Sequence, residues 1–337
     1  MSASIKDDLE LLDLMVHDQT LQASIYRPGP FWEELTDAAV REIKTHGISD
    51  FRGGSSPMGW GFTDNTFHEA ASLEPHHKAV IDNDRLPHLL SKYNIPESTL
   101  CGCTSYVTVE GRRIARHYLN LLDQHDRIAS EVRFATARSM FEIGGGFGVN
   151  VHLLLSNYAS LKKILYLDVP PNLYIGTQYL KMFFGDAVKD YRALRTTREI
   201  SFRPDDSLEI IAIAPWQIEK VNASFDIFYN AHSFVEIPKP AITNYVNKLH
   251  GLRGFSETQI VLLSYSCFDL NTTFNPDELP RFFPERQFKK QTFSVLDGRY
   301  KILAFTSAAQ TSSLSIRRLL LSSMHKYLGS LLAPRQA

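Results

Sequence analysis

Phe141-Glu142-Ile143-Gly144-Gly145-Gly146-Phe147-Gly148 and, a short helix-length later, Leu165-Tyr166-Leu167-Asp168 are the two stretches that decide how this chain is read. An apolar strand runs straight into a glycine loop. A second apolar strand then ends in a single acidic residue. A nucleotide-like ligand asks for this pairing, because backbone must approach it closely while a carboxylate accepts from ribose hydroxyls.

Outward from that unit, short apolar runs alternate with helical patterns. Strands are expected over 139–143, 163–167, 208–214, 225–230 and 259–265, with helices over 149–158, 173–184 and 241–250. Such alternation argues a parallel sheet covered on both faces. The end differs: the runs 288–296 and 300–306 are joined by Asp297-Gly298-Arg299, and Asp-Gly between apolar runs is a hairpin signal. An α/β, Rossmann-like sheet finished by an antiparallel hairpin is the pattern of the class I methyltransferase fold. A plain dinucleotide-binding domain lacks that hairpin.

The preceding residues read as helix and loop. Leu9 to Leu21 and Pro30 to His46 are amphipathic, the second with Pro30 near its start and Gly47 just past its end. A third helix is expected over 111–132. The segment 51–62 is rich in Gly, Ser and Pro and reads as a loop, either a substrate-side segment or a plain connector. The expected division is a helical N-terminal cap over 1–133, a ligand-binding domain over 134–310 and a C-terminal helix over 311–337.

Composition sets bounds on partners. The 337 residues are 44% hydrophobic and 22% charged with a net charge of −1, so no general electrostatic hold on nucleic acid is expected. Arg192, Arg195, Arg198 and Arg203 read as solvated surface rather than an anion site. Three cysteines, with Cys101 and Cys103 one residue apart, fit neither a disulfide framework nor the common zinc spacing, and point to a reducing cytoplasm. No apolar run of membrane-spanning length is present. A small-molecule acceptor and a homo-oligomer are compatible with the 14 Tyr and 21 Phe.

Gly144, Gly146 and Gly148 serve geometry: the loop must turn sharply and leave room for a ligand. Glu142 favours a ligand carrying an ammonium group, which fits S-adenosylmethionine better than NAD. Asp168 is placed to accept from ribose hydroxyls or to cap the helix that follows. Trp216 could stack on adenine or be plain core, and Gln217 could hydrogen-bond the ring. Asn230 lies at the end of the fourth strand, beside the cofactor. From that edge also come His232 and Glu236. His232 is the first candidate for a general base, and Glu236 is the second, as base or as the group orienting a histidine. His117, with Arg112, Arg113 and Arg116 near it, is a further group that could reach in from the cap. Asp269 and Glu236 are the carboxylates a Mg²⁺ would use, but no closely spaced acidic pair is present, so no metal site is assigned.

Residues 141–249 resemble the sugar O-methyltransferase family within the class I S-adenosylmethionine-dependent superfamily. The matching features are the 142–148 glycine motif, Leu167-Asp168-Val169-Pro170, Gln178-Tyr179-Leu180 and the Asn and Ser-Phe-x-Glu pattern between Asp226 and Glu236. The sequence departs from that family at Pro170-Pro171 and Glu236-Ile237, where relatives carry Pro-Glu and Glu-Met. The resemblance implies the fold, the cofactor and a hydroxyl substrate. An amine acceptor on an amino sugar or other natural-product intermediate, an NAD-dependent oxidoreductase and a non-enzymatic interaction protein are the competing readings.

Overall fold

The computed structural model describes residues 4–53, 74–265, 273, 275–296, 298 and 300–306. The expected loop beyond Gly53, Cys267, Asp269 and the expected C-terminal helix lie outside the described residues.

The core is an eight-stranded sheet. Its strands are β3 (Ser139–Ile143), β4 (Lys163–Leu167), β5 (Val188–Lys189), β6 (Glu209–Ile213), β7 (Ile227–Ala231), β8 (Gln259–Tyr265), β9 (Lys289–Ser294) and β10 (Tyr300–Phe305), in the order β5-β6-β4-β3-β7-β8-β10-β9. Strands β3 to β8 are all parallel, β10 runs antiparallel to β8, and β9 closes the hairpin on β10. The order reverses at β3, and ligands of open α/β sheets bind outside such a switch point, at the carboxyl ends of the strands. This order, with the inserted antiparallel strand, is the class I methyltransferase fold.

The central strands are buried on both faces, so they read as continuous apolar runs. Alternate residues feed separate cores. Met140, Ile164, Tyr166, Ile210 and Tyr229 pack on one side, and Phe141, Leu165, Ile211, Phe228 and Ile260 on the other. The first core is covered by α6 (Val149–Asn157) and α7 (Pro170–Phe184), and the second by α10 (Lys239–Gly251). Pro170 occupies the first turn of α7, where a missing N–H costs nothing, so the helix begins three residues earlier than its apolar pattern suggested.

The N-terminal third is not purely helical. It holds α1 (Leu9–Thr20), α2 (Pro30–His46), α3 (Glu74–Ile81), α4 (Leu86–Lys92) and α5 (Arg116–Ile128), but also a hairpin of β1 (Tyr106–Val109) and β2 (Arg112–Ala115). The helix expected from Gly111 therefore starts at Arg116. Glu110 and Gly111 both take positive φ, 50° and 76°, the paired left-handed geometry of a two-residue hairpin turn. Leu11, Leu12, Met15 and Ile43 join the same core as the sheet face. Arg195 grips the buried Asp18 with two hydrogen bonds of 2.6 and 2.9 Å, and Arg192 grips Asp8. Two of the four arginines read as bare surface thus tie α1 to the sheet domain. The Arg195 hydrogen bonds hold the Asp18 carboxyl below its ordinary range.

Candidate functional site

The glycine loop leaves β3 at Gly144, whose N–H donates to Leu167 O at 2.8 Å. Gly144, Gly146 and Gly148 all have positive φ, 74°, 58° and 82°. Their surroundings differ. A Cβ on Gly144 would fall inside Ser233, and one on Gly148 would meet Leu180 at 2.8 Å, but one on Gly146 would point into open space. Gly146 thus leaves open space on the side a Cβ would fill, while its N–H and C=O are held by Asp168 and Tyr166. Gly148 caps α6, whose first N–H groups face the same end of the sheet.

Two carboxylates flank this loop. Asp168 is buried. Its Oδ2 accepts from Gly146 N at 2.7 Å, and its Oδ1 from Val169 N at 2.7 Å and Asn172 Nδ2 at 3.2 Å. Three of about four lone-pair positions are taken, leaving one on Oδ2 for a ligand hydroxyl. The helix cap is Val169, and Asp168 braces both the glycine loop, through Gly146, and the start of α7, through Val169 and Asn172. Burial pushes Asp168 up to about 7 against the opposing pull of these hydrogen bonds.

Glu142 is 1% exposed. Its Oε1 accepts from Asn150 Nδ2 at 2.9 Å, and its Oε2 is buried with no hydrogen-bond partner among the described residues. Burial raises its pKa to about 8, with the Asp168 charge adding to the shift and the Asn150 hydrogen bond opposing it. An orphaned carboxylate oxygen beneath a ligand-facing glycine loop is the position an ammonium group would satisfy. These residues fit an amino-acid-bearing nucleoside.

Tyr166, which carries no motif of its own, fills the floor. Its hydroxyl donates to Gly146 O, and Cβ atoms on Gly145 or Gly176 would collide with its ring or hydroxyl. The only sequence signal was the unusual pair of glycines, one in the loop and one inside a helix.

On the adenine side, Trp216 packs edge-on to Tyr191 and donates to Tyr191 Oη at 3.1 Å. Gln217 accepts from Ala214 N at 3.0 Å and donates to Leu194 O at 3.2 Å. Both Gln217 side-chain atoms therefore serve the protein. Asn230, fully buried, donates to Ile143 O at 2.8 Å and Ser233 Oγ at 2.6 Å and accepts from Phe234 N at 3.2 Å, lashing the ends of β3 and β7 together. These bonds leave little of Asn230 for a ligand.

The other wall of the cleft follows β7. His232 has φ 68°, a rare conformation for a residue with a Cβ, at the start of α9 (Ser233–Glu236). Its ring lies flat on Tyr265, at 4.6 Å and 17°. Tyr265 Oη donates to Glu236 Oε1 at 2.7 Å, and Trp32 Nε1 of α2 donates to Glu236 Oε2 at 2.9 Å. Tyr265 thus links the two sequence candidates, stacking on one and bonding the other. The Lys301 ammonium lies 4.5 Å from the Tyr265 ring centroid. Tyr265 and Trp32 carried no local sequence signal, since they meet Glu236 only through the tertiary fold.

His117 packs edge-on to Phe147 of the glycine loop, which places the N-terminus of α5 beside the cofactor end. Arg112 and Arg113 are exposed on the hairpin, and Arg116 is buried. Among the described residues no group of three or more metal-ligating side chains is gathered, and no helix is long and apolar enough to cross a membrane.

No family model and no curated protein matches the chain. Solved structures do. The mitomycin 7-O-methyltransferase MmcR aligns over 82% of this chain and 67% of its own, at 12% identity and TM-score 0.38. The pyocyanin biosynthetic protein PhzM aligns over 82% and 71%, at 11% identity and TM-score 0.39. A SAM-dependent methyltransferase from Aquifex aeolicus aligns over 57% and 92%, at 13% identity and TM-score 0.37. The likenesses are weak, and the strand order with its antiparallel hairpin defines the fold independently of them.

Proposed function

We propose that this chain is an S-adenosylmethionine-dependent O-methyltransferase acting on a hydroxyl of a sugar or similar small polar metabolite. The observation that carries the reading is the buried, orphaned Oε2 of Glu142 beneath a glycine loop whose middle glycine opens onto free space. NAD has no ammonium group to satisfy that oxygen. The one remaining lone pair on Asp168 suits a ribose hydroxyl.

When bound, S-adenosylmethionine supplies an electrophilic methyl group at the switch point of the sheet. The chain's own residues then have two tasks: to align an acceptor hydroxyl and to take its proton as it attacks. His232 and Glu236 are the groups for the second task. Neutral imidazole accepts a proton near pH 7. Glu236, held by Tyr265 and Trp32, is a fixed carboxylate. Trp32 brings the cap to the acceptor side, where it would help exclude water.

Calorimetric titration with S-adenosylmethionine, S-adenosylhomocysteine and NAD, alongside Asp168→Ala, tests the cofactor. Micromolar binding of the two sulfur nucleosides, weakened in the variant, is expected. Binding of NAD alone would overturn the reading. Transfer of labelled methyl to a panel of sugars, polyols and amino sugars tests the acceptor; label appearing only on amines would replace O-methylation by N-methylation.

A further inference from the structure

A chain of hydrogen bonds runs from the cap into the cofactor carboxylate. His125 of α5 is 1% exposed, and its Nε2 lies 2.7 Å from Asn150 Oδ1. Asn150 of α6 is 3% exposed, and its Nδ2 donates to Glu142 Oε1 at 2.9 Å. His125 Nδ1 has no hydrogen-bond partner among the described residues, and its ring is held edge-on to Phe134 and tilted against Tyr229.

The proton pattern follows from this inventory. An amide beside a carboxyl group can face it either way. Its NH₂ side favours the ionised carboxylate, and its carbonyl side favours the acid. Burial lowers the His125 pKa to about 4, so the ring is neutral near pH 7. A neutral imidazole that keeps its single N–H on Nε2 claims the Asn150 carbonyl, and the NH₂ is left for Glu142. The bare Nδ1 is then an unmatched acceptor, consistent with its lack of a partner.

Building on the methyltransferase reading, we propose that His125 and Asn150 are positioning residues that hold Glu142 ready to ionise and receive the ammonium group of an amino-acid-bearing nucleoside. Neither touches the ligand. The groups facing Glu142 are Asn150 from α6, Tyr166 and Asp168 from β4 and its end, and Tyr229 from β7. Of these only Asn150 donates a hydrogen bond to the carboxylate among the bonds described, so its orientation is what favours the ionised form against burial.

The test compares two nucleosides. S-Adenosylhomocysteine carries the ammonium group, and 5′-methylthioadenosine keeps the adenosine and sulfur without it. Calorimetric Kd values from pH 6 to 8.5 are measured for the wild type, Asn150→Leu, His125→Leu and His125→Gln. Wild-type affinity for S-adenosylhomocysteine should rise with pH as Glu142 ionises. In Asn150→Leu the rise should move to higher pH, with affinity near pH 7 down by about tenfold, the value of one charge-assisted hydrogen bond. His125→Leu should shift the same way by less. His125→Gln, whose amide nitrogen can stand where Nε2 stood, should restore the wild-type profile. Binding of 5′-methylthioadenosine should be unchanged throughout.

Equal losses for both nucleosides, with no shift of the pH profile, would overturn the inference and leave a purely structural chain. The same holds for unchanged binding in all three variants. A wild type that binds neither nucleoside would instead overturn the methyltransferase reading, and this inference with it. If His125→Leu fails to fold, Asn150→Leu and His125→Gln still decide the outcome.

Discussion

The two walls of the cleft treat their carboxylates in opposite ways. On the β3–β4 side, Glu142 keeps one buried oxygen empty, and burial lifts both it and Asp168 toward neutral pH. On the β7–β8 side, Glu236 has a donor on each oxygen, one from β8 and one from the cap. A carboxylate left short of donors is poised for a charged ligand. One that is braced on both oxygens is poised to stay where it is. On the proposed reading the first wall binds and the second does the chemistry.

Turnover should separate the walls most sharply. Glu236→Gln is expected to lower kcat by about a hundredfold, within the usual range for a lost general base, while S-adenosylhomocysteine affinity holds. Single-turnover methyl transfer beside calorimetry checks it, and an equal loss in both would merge the two walls into one. Glu142→Gln should do the reverse. Affinity for S-adenosylhomocysteine falls by about thirtyfold, as expected when a charged hydrogen-bond partner is removed, and its rise with pH flattens.

A smaller effect tests the brace. Tyr265→Phe removes one donor from Glu236 and should cost about tenfold in kcat, with the acidic limb of the pH–rate profile moved to higher pH. An unmoved limb would mean that Glu236 does not titrate in the reaction.

The smallest effect is on stability. In the ligand-free protein, folded Glu142 and Asp168 hold their protons up to about 8 and 7, whereas unfolded carboxyls release them near 4. The folded state thus binds more protons than the unfolded state, and stability falls as pH rises through that window. His125 and His152, lowered to about 4, work the other way below their unfolded value of about 6.5. The net fall is therefore expected between about pH 6.5 and 8, on the order of 1–2 kcal/mol. Saturating S-adenosylhomocysteine should abolish it. Thermal unfolding across that range, with and without the nucleoside, measures both. A flat profile without ligand would show that the binding wall is not short of donors.

Much of this architecture was legible in the sequence because parallel strands buried on both faces must be apolar along their length. Strands β3, β4 and β8 fall where their runs predicted. The β1–β2 hairpin was hidden: its turn is Glu110-Gly111 rather than the usual Asn-Gly, and β2 runs directly into α5, so strand and helix merged into one apolar pattern. At the site, the glycines, Glu142 and Asp168 announce themselves by spacing. Trp32 and Tyr265 do not, because their partner Glu236 is 204 and 29 residues away, and only the fold brings them together. Asn230 and Gln217 looked like ligand contacts because polar residues at strand ends often are, whereas here they meet the backbone's own hydrogen-bonding demands.

The Tyr166 ring imposes a shared history on three positions. A helix interior disfavours glycine by about 1 kcal/mol, so Gly176 has a standing incentive to become alanine. While tyrosine stands at 166 that route is shut, as it is at Gly145. A lineage that first trims Tyr166 opens both positions to larger residues. Once either is filled the tyrosine cannot return. Among descendants of such a chain, an aromatic residue at 166 should therefore travel with glycine at both 145 and 176, and the three should be inherited or lost as a set.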